Sequence, residues 1–121
     1  MLINELSKRS GVTIHTIRFY EKSGLIKGTR DANVTSNNYF HYDEETVEKL
    51  ALIRDAKSIG FTISEINKLM DAWYTNSIEV SAKLSVLDEK LLSIDAKIAQ
   101  LKEMKKRINA FKKDVLENNC Q

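Results

Sequence analysis

Residues 11–24 read GVTIHTIRFYEKSG and predict a short helix held between two glycines. Thr13 is suited to begin this helix, because its hydroxyl can accept a hydrogen bond from a main-chain N–H of the first turn. Gly24 stands where a helix commonly ends in a left-handed residue. One side of the helix is apolar and is expected to face a core; it consists of Ile14, Ile17 and Tyr20.

A second short helix is predicted immediately upstream. Asn4 is suited to cap its start, and Leu6 with its neighbours supplies the stripe expected to be buried. Gly11 then interrupts the helical pattern. Residues 1–28 therefore predict two helices joined by a short turn.

In the helix that Thr13 begins, the side away from Ile14 and Ile17 carries the residues best suited to contact DNA. At about 100° per residue, four side chains share it: His15, Arg18, Phe19 and Lys22. An arginine can bind guanine or phosphate, a lysine neutralises phosphate, and an apolar ring can contact a thymine methyl group. Two alternatives stay open: Phe19 belongs to the core if the helix is rotated, and an exposed Lys22 is ordinary.

The helical period disappears between residues 27 and 42. Residues 30–38 are rich in turn-forming residues, and residues 39–42 alternate in the way of a short strand. The segment therefore predicts a β-hairpin.

Two further helices are predicted after the hairpin. Asp43 can cap the first of them, which is expected to end near Gly60 and to have Val47, Leu50 and Ala51 among its apolar positions. The next helix begins with a capping box between Thr62 and Glu65. Its buried face is expected to comprise Ile66, Leu69, Met70 and Trp73.

A single long helix is predicted from about Ile78 to about Glu117. Its apolar residues recur at alternating steps of three and four residues, a period typical of a coiled coil, and Lys105 and Lys112 interrupt the pattern. The preceding residues are too few to cover so long a face, so we expect the helix to pair with a second copy. The predicted seam consists of Val80, Leu84, Leu87, Leu91, Ile94, Ile98, Leu101, Ile108 and Val115.

The composition favours a soluble, helix-rich protein. The 121 residues leave room for one domain and an appendage, and they include 42% apolar residues, 30% charged residues and no proline. No apolar run approaches the roughly 20 residues that a bilayer requires, and residues 1–5 lack the features of a signal peptide. We therefore expect a cytoplasmic protein.

The distribution of charge is more informative than the net charge of +2. Residues 1–42 carry a net charge of +3, residues 43–75 carry −3, and residues 76–121 carry +2. The basic excess coincides with the candidate DNA-contacting helix, although an ordinary solvated surface can carry the same charge.

The chain resembles the MerR family of transcriptional regulators over residues 1 to about 73. Besides residues 3–7, three segments carry the resemblance: residues 11–26, which contain T-I-R-F-Y-E; residues 38–45, which contain the paired tyrosines; and residues 59–66, which contain G-F-T-I-S-E-I. These segments occur in the family's order and are specific to it. The resemblance implies a mainly α protein with a winged helix-turn-helix and a small β-hairpin wing, followed by a long coiled-coil helix.

The resemblance also implies how the chain is organised and what it does. Residues 1–73 are expected to bind DNA, residues 78–117 to form an antiparallel coiled-coil dimer, and residues 118–121 to be a short tail. Such regulators are homodimers that bend and untwist a pseudo-palindromic promoter in response to a signal, so that RNA polymerase can use it. No cofactor is expected. An enzyme is not expected either, because no paired acids, nucleophile motif or phosphate loop appears.

Individual roles also follow from the resemblance. Arg18 should hold phosphate, and the residues at or beside base edges should be His15, Thr16, Phe19 and Tyr20. Tyr39 and Tyr42 should belong to the first wing, the hairpin, and Arg54 and Lys57 should approach the DNA backbone near a second wing. One departure is that the family usually has an arginine where this chain has Phe40; the candidates to replace it are Lys27, Arg30 and His41. The expected DNA-contacting set comprises His15, Thr16, Arg18, Phe19, Tyr20, Lys22, Tyr39, His41, Tyr42, Arg54 and Lys57.

The sequence does not identify the signal. Cys120 is the only cysteine, and one thiol falls short of the two or more that soft-metal sites need, so no metal site is expected. A sensing role for this thiol stays open. Trp73 and Tyr74 can line a small pocket, although Trp73 is more typical of a core.

Two other functions stay open at this point. One is an effector-independent architectural or excisionase-like DNA-binding protein. The other is a coiled-coil adaptor without DNA binding, which would lack the salt-sensitive affinity for duplex DNA.

Overall fold

Short helices, a small hairpin and one long helix make up the computed structural model, which describes residues 1–30, 40–75 and 79–119. The chain separates into two units, Met1–Lys83 and Leu84–Gln121. The predicted order of elements is confirmed. In chain order they are α1 (Ile3–Ser10), α2 (Ile14–Lys22), β1 (Thr29–Arg30), β2 (Phe40–His41), α3 (Glu44–Ser58), α4 (Ile63–Met70), a π-helical turn (Asp71–Thr75) and α5 (Val80–Asn119).

The two ends of α2 form as the sequence predicts. The Thr13 hydroxyl accepts a hydrogen bond from the Thr16 main-chain N–H at 3.2 Å. Gly11 before the helix and Gly24 after it have φ angles of 73° and 81°, in the left-handed region where a side chain is strained. Gly11 and Thr13 thus lie in the short turn between α1 and α2, and Gly24 follows the end of α2.

The start of the chain is joined to the hairpin. The Met1 main-chain nitrogen donates to the Tyr42 carbonyl at 2.7 Å, and the Tyr42 N–H donates to the Met1 carbonyl at 2.7 Å. The first helix then begins at Ile3, and Leu2 takes the capping position without a side-chain hydrogen bond. The prediction that Asn4 caps α1 is wrong, because Asn4 lies inside the first turn.

The hairpin is short and antiparallel. Thr29 pairs with His41, and Arg30 pairs with Phe40. The residues between these strands, including Tyr39, lie outside the described part of the chain.

Both downstream caps are confirmed. The Asp43 carboxylate accepts the Thr46 N–H at 3.0 Å at the start of α3. At the start of α4, Thr62 and Glu65 form the complete capping box, with distances of 3.2 and 2.9 Å. These bonds hold the two helices in the positions from which their apolar faces reach the core.

The core lies within the unit Met1–Lys83. On α3 the buried positions include Leu50 and Ala56, whereas Ala51 is exposed. The buried face of α3 is thus rotated by part of a turn from the predicted face. On α4 the predicted face is confirmed, although Trp73 is only half-buried. The side chains with no more than 1% exposure come from all four short helices: Leu6, Ile17, Leu50, Ile53 and Ile66.

The predicted long helix is present as the 40-residue α5. At a rise of about 1.5 Å per residue it is roughly 60 Å long. No helix among residues 1–30, 40–75 and 79–119 is both long and apolar enough to cross a membrane.

Carboxylates at the start of α3 are held by hydrogen bonds, one from within α3 and one from α1. Main-chain and side-chain hydrogen bonds from Thr46 lower the pKa of Asp43. The guanidinium of Arg9 donates to both oxygens of Glu44, with the second bond at 2.6 Å, and lowers the pKa of Glu44. One of the basic groups in the first 42 residues is therefore already paired with an acid.

Removing a buried methyl-rich side chain should destabilise the domain. We expect Ile53→Ala to lower the free energy of unfolding by about 2–5 kcal/mol, because Ile53 is 0% exposed and the substitution leaves a cavity. Ile59→Ala is the matched control, since Ile59 is 61% exposed and should change stability by less than about 0.5 kcal/mol. Urea unfolding measures both. Equal losses in the two variants would contradict this assignment of the core.

Stability should fall as the solution is acidified through the carboxylate range. Asp43 has a lowered pKa in the folded chain, so its contribution is present above the ordinary carboxyl pKa and is lost as the pH falls. Asp43→Asn keeps a capping oxygen but cannot titrate. Between about pH 6 and about pH 3, this variant should lose less stability than the wild type in urea titrations. An equal or greater loss would contradict the role of the Asp43 carboxylate.

Candidate nucleic-acid interface

One side of α2 is exposed and the other is buried. Ile17 is 0% exposed, and this fixes the rotation of the helix. Phe19 is 48% exposed, which decides against the rotated helix in which it joins the core. The exposed side consists of His15, Arg18, Phe19 and Lys22.

Two tyrosines of the expected contact set belong to the core instead. Tyr20 and Tyr42 are only 6% and 5% exposed. Tyr20 lies three residues after Ile17 on the inward side of α2, and burial raises its pKa. The resemblance implies that Tyr20 lies at or beside a base edge and that Tyr42 belongs to the first wing. Both rings are buried in the core, and a direct contact of either with DNA stays a prediction.

A hydrogen bond joins the hairpin to α2. The buried Tyr42 hydroxyl donates to the carboxylate of Glu21. Burial and this bond both raise the pKa of Tyr42, while the positive charge of Arg18 lowers it. These groups border a shallow cavity of about 290 Å³ that also touches Leu2 and Phe40. Sequence reasoning missed Glu21, which carries no signal beyond its place one turn after Arg18.

Gly28 lets the hairpin approach closely. A Cβ at this position would lie 2.8 Å from the Cβ of Phe40 and 3.1 Å from the Tyr42 ring. A side chain there would collide with both residues. The sequence shows the glycine but gives no sign that it faces these two rings.

Among the described residues at the hairpin, Lys27 and His41 have exposed basic side chains. Phe40 is 38% exposed at the position where the resemblance leads one to expect arginine. Tyr39 and the side chain of Arg30 lie outside the described residues. Lys27 and His41 thus remain the described candidates to replace the missing arginine.

Arg54 has an internal role. Its guanidinium donates to the Ser10 carbonyl, and a Cβ on Gly11 would lie 2.8 Å from its Nη2 atom. Arg54 and the exposed Lys57 border a second shallow cavity of about 320 Å³ next to Thr13, at the turn between α1 and α2. Arg54 therefore holds this turn, whereas the sequence assigned it only to the DNA backbone.

The two aromatic residues after α4 are half-buried. The Lys83 ammonium lies 5.1 Å from the ring centre of Trp73, and the Lys49 ammonium lies 4.9 Å from that of Tyr74. Both distances fit cation–π contacts. Each ring is thus in contact with a lysine of the same unit.

No group of three or more His, Cys, Asp or Glu side chains suited to a metal ion occurs among the described residues. Cys120 lies outside them. A sensing role for this thiol therefore stays open.

Two family models match the chain. One, described as "MerR HTH family regulatory protein", matches residues 1–73, and the other, described as "MerR, DNA binding", matches residues 47–111. The heavy metal-dependent transcription regulator 2 of Rhizobium meliloti (strain 1021) is 36% identical over 104 residues, which are 86% of this chain and 69% of that protein. The mercuric resistance operon regulatory protein of Bacillus cereus is 31% identical over 116 residues, 96% of this chain and 86% of that protein.

Solved structures share the fold. The transcription regulator PbrR691 from Ralstonia metallidurans CH34, in complex with lead(II), has a TM-score of 0.75 at 24% identity and covers 89% of this chain and 82% of its own. HiNmlR, a MerR family regulator lacking the sensor domain and bound to promoter DNA, has a TM-score of 0.60 at 20% identity, with coverages of 85% and 76%.

Breaking the bond between the hairpin and α2 should loosen the exposed face. We expect Tyr42→Phe to lower the free energy of unfolding by about 1–3 kcal/mol, because the hydroxyl is lost from a buried pair and Glu21 is left without it. Tyr74→Phe also removes a hydroxyl but leaves the bond to Glu21 intact, and should change stability by less than about 0.5 kcal/mol. Urea unfolding compares the two. If Tyr42→Phe proves as stable as the wild type, the bond does not hold the wing.

Proposed function

This chain belongs to the MerR family of helix-turn-helix regulatory proteins, and we propose that it regulates transcription as a homodimer on promoter DNA. As a MerR-type DNA-binding transcription regulator it is not an enzyme. Membership of the family also excludes the coiled-coil adaptor without DNA binding.

The observation that carries the proposal is the exposed side of α2. It presents an arginine, a lysine, a histidine and an aromatic ring together, backed by the buried Ile17. In this proposal Arg18 and Lys22 bind phosphate or base edges, and Phe19 packs against a sugar or a thymine methyl group. The remaining proposed contacts are His15, Thr16, His41, Lys57 and Tyr39.

The dimer rests on α5. Several of its apolar side chains are more than half exposed, among them Leu84, Leu91 and Ile108. A second copy would remove this surface from water and would supply a second head for the other half of a pseudo-palindromic site. We propose that the pair bends and untwists the promoter, with an energy that depends on DNA deformability as well as contacts, and so controls its use by RNA polymerase.

Metal ions are the first class of signal to test, because two of the relatives are named for heavy metals and mercury and one structural neighbour holds lead(II). This chain has a single cysteine, Cys120, so a site within one chain has at most one thiolate. Transcription from the bound promoter in the presence of lead(II) or mercury(II) tests this class. If Cys120→Ser abolishes the response, the thiol is a ligand of the metal ion. If the response survives the substitution, other groups bind the metal ion.

Loss of Arg18 should weaken DNA binding through phosphate. In mobility shifts on the promoter region upstream of its own gene, Arg18→Ala should raise the Kd by roughly tenfold or more and reduce the slope of log K against log salt by about one. Lys106→Ala on α5 is the control with the same change of charge, and should bind as the wild type does. If both variants have the same Kd and the same salt dependence, Arg18 on α2 does not contact the DNA backbone as proposed.

A further inference from the structure

Two exposed apolar side chains border the shallow cavity between α2 and the hairpin. Leu2 is 41% exposed and Phe40 is 38% exposed. Scattered single apolar residues on a surface are ordinary, whereas apolar residues that gather at one place mark a contact surface. We call this place the wing cavity; it is lined by Leu2, Ile3, Asn4, Arg18, Glu21, Phe40 and Tyr42.

Leu2 occupies a position that folding alone would give to another residue type. It takes the N-cap position of α1 and has no side-chain atom that can accept a hydrogen bond from the first turn. Asparagine, aspartate and serine are preferred at such a position because their side chains satisfy a free main-chain N–H. Leu2 gives up this hydrogen bond and still leaves much of its side chain in water. A contact outside the chain accounts for a leucine here better than the stability of α1 does.

Phe40 is held at the edge of the wing cavity by the hairpin. It pairs with Arg30, and a Cβ on Gly28 would lie 2.8 Å from the Cβ of Phe40. Tyr42 also approaches Gly28, so the two aromatic residues lie on the same side of the hairpin. Tyr42 is buried and Phe40 is exposed. Phe40 therefore extends the buried apolar surface of the hairpin out to the solvent.

The charged groups of the wing cavity favour an anion at one place only. Arg18 lies on the exposed side of α2 and supplies a guanidinium. Glu21 lies one turn further along α2, and its carboxylate accepts a hydrogen bond from the Tyr42 hydroxyl. A phosphate is attracted by Arg18 and repelled by Glu21, so the remainder of the cavity suits a neutral group.

A nucleotide of the DNA backbone combines these two properties, because its deoxyribose is uncharged, has apolar C–H faces and is joined directly to a phosphate. We propose that one deoxyribose of the promoter packs on Leu2 and Phe40 in the wing cavity, while Arg18 binds the adjoining phosphate. This inference rests on the proposed binding to promoter DNA, and it adds Leu2 and Phe40 to the proposed contacts.

Position and size favour a DNA strand as the occupant. Arg18 belongs both to the exposed side of α2 and to the wing cavity, so a strand whose phosphate it binds passes directly over the cavity. The volume of about 290 Å³ is just below the roughly 300–1,000 Å³ of enclosed small-molecule sites. A shallow cavity of this size suits one unit of a long polymer.

The proposed contact differs from a phosphate contact in its response to salt. A cation that binds phosphate displaces counterions, and the affinity therefore falls as salt is added. An apolar side chain against a sugar displaces none. Leu2 and Phe40 should thus strengthen binding without changing its salt dependence, which separates their role from that of Arg18.

Leu2→Asn separates DNA contact from folding, because asparagine is a good N-cap and carries no charge. In mobility shifts on the promoter region upstream of its own gene, this variant should raise the Kd roughly threefold to tenfold and leave the slope of log K against log salt unchanged. The midpoint of urea unfolding should not fall. Leu92→Asn is the matched control on α5; Leu92 is 70% exposed and lies off the predicted seam, and the variant should bind as the wild type does.

Variants of Phe40 test the other half of the patch. Phe40→Ala should weaken binding in the same way, and Phe40→Leu, which keeps an apolar side chain, should restore most of the affinity. Hydroxyl-radical footprinting with saturating protein locates the contact, because the radical attacks the sugar. Phe40→Ala should lose protection at a local group of sugars, and the other protected sugars should stay as in the wild type.

The wild-type protein separates failure of this inference from failure of the proposed function. Weaker binding of Leu2→Asn and Phe40→Ala with an unchanged salt slope and a local loss of sugar protection supports the inference. If the wild type binds and both variants match its Kd and footprint, another occupant or none covers the patch, and the inference is overturned while the proposed function stands. A reduced salt slope in Leu2→Asn also overturns it. A wild-type protein without salt-sensitive binding to the promoter overturns both.

Discussion

Burial of Ile17 in the core fixes the rotation of α2, and the candidate interface depends on that rotation. With Ile17 and Tyr20 turned inward, Arg18 and Phe19 must point outward, since the α-helix advances about 100° per residue. Left-handed glycines at both ends and the Thr13 cap limit α2 to nine residues, so the reading face is short. A core residue thus determines which side chains are available to DNA.

The wing is held against this helix by contacts between residues distant in sequence. Tyr42 donates to Glu21 on α2 and exchanges main-chain hydrogen bonds with Met1. Arg54 reaches the carbonyl of Ser10 across 44 positions of sequence. These contacts hold α2, the turn before it and the hairpin in fixed relative positions, which a surface that binds a stiff duplex requires.

The sequence predicts local features well and distant pairings poorly. The caps at Thr13, Asp43 and Thr62 are local hydrogen-bond motifs, and each is confirmed. The burial of Tyr42 is not visible in the sequence, because it depends on contacts with Glu21 and Gly28, which are distant along the chain. Asn4 failed as a cap since the pairing of Met1 with Tyr42, a long-range contact, sets where α1 begins. On α5, periodicity predicts the helix, which is present over Val80–Asn119.

In the proposed complex, two copies of this chain bind one promoter site together, each with its own α2. Sedimentation equilibrium of the protein mixed with a duplex from its own promoter region measures this most directly. We expect a complex of two chains per duplex at moderate salt, which dissociates as salt is raised. A saturated complex of one chain per duplex, or no complex at any salt concentration, would contradict it.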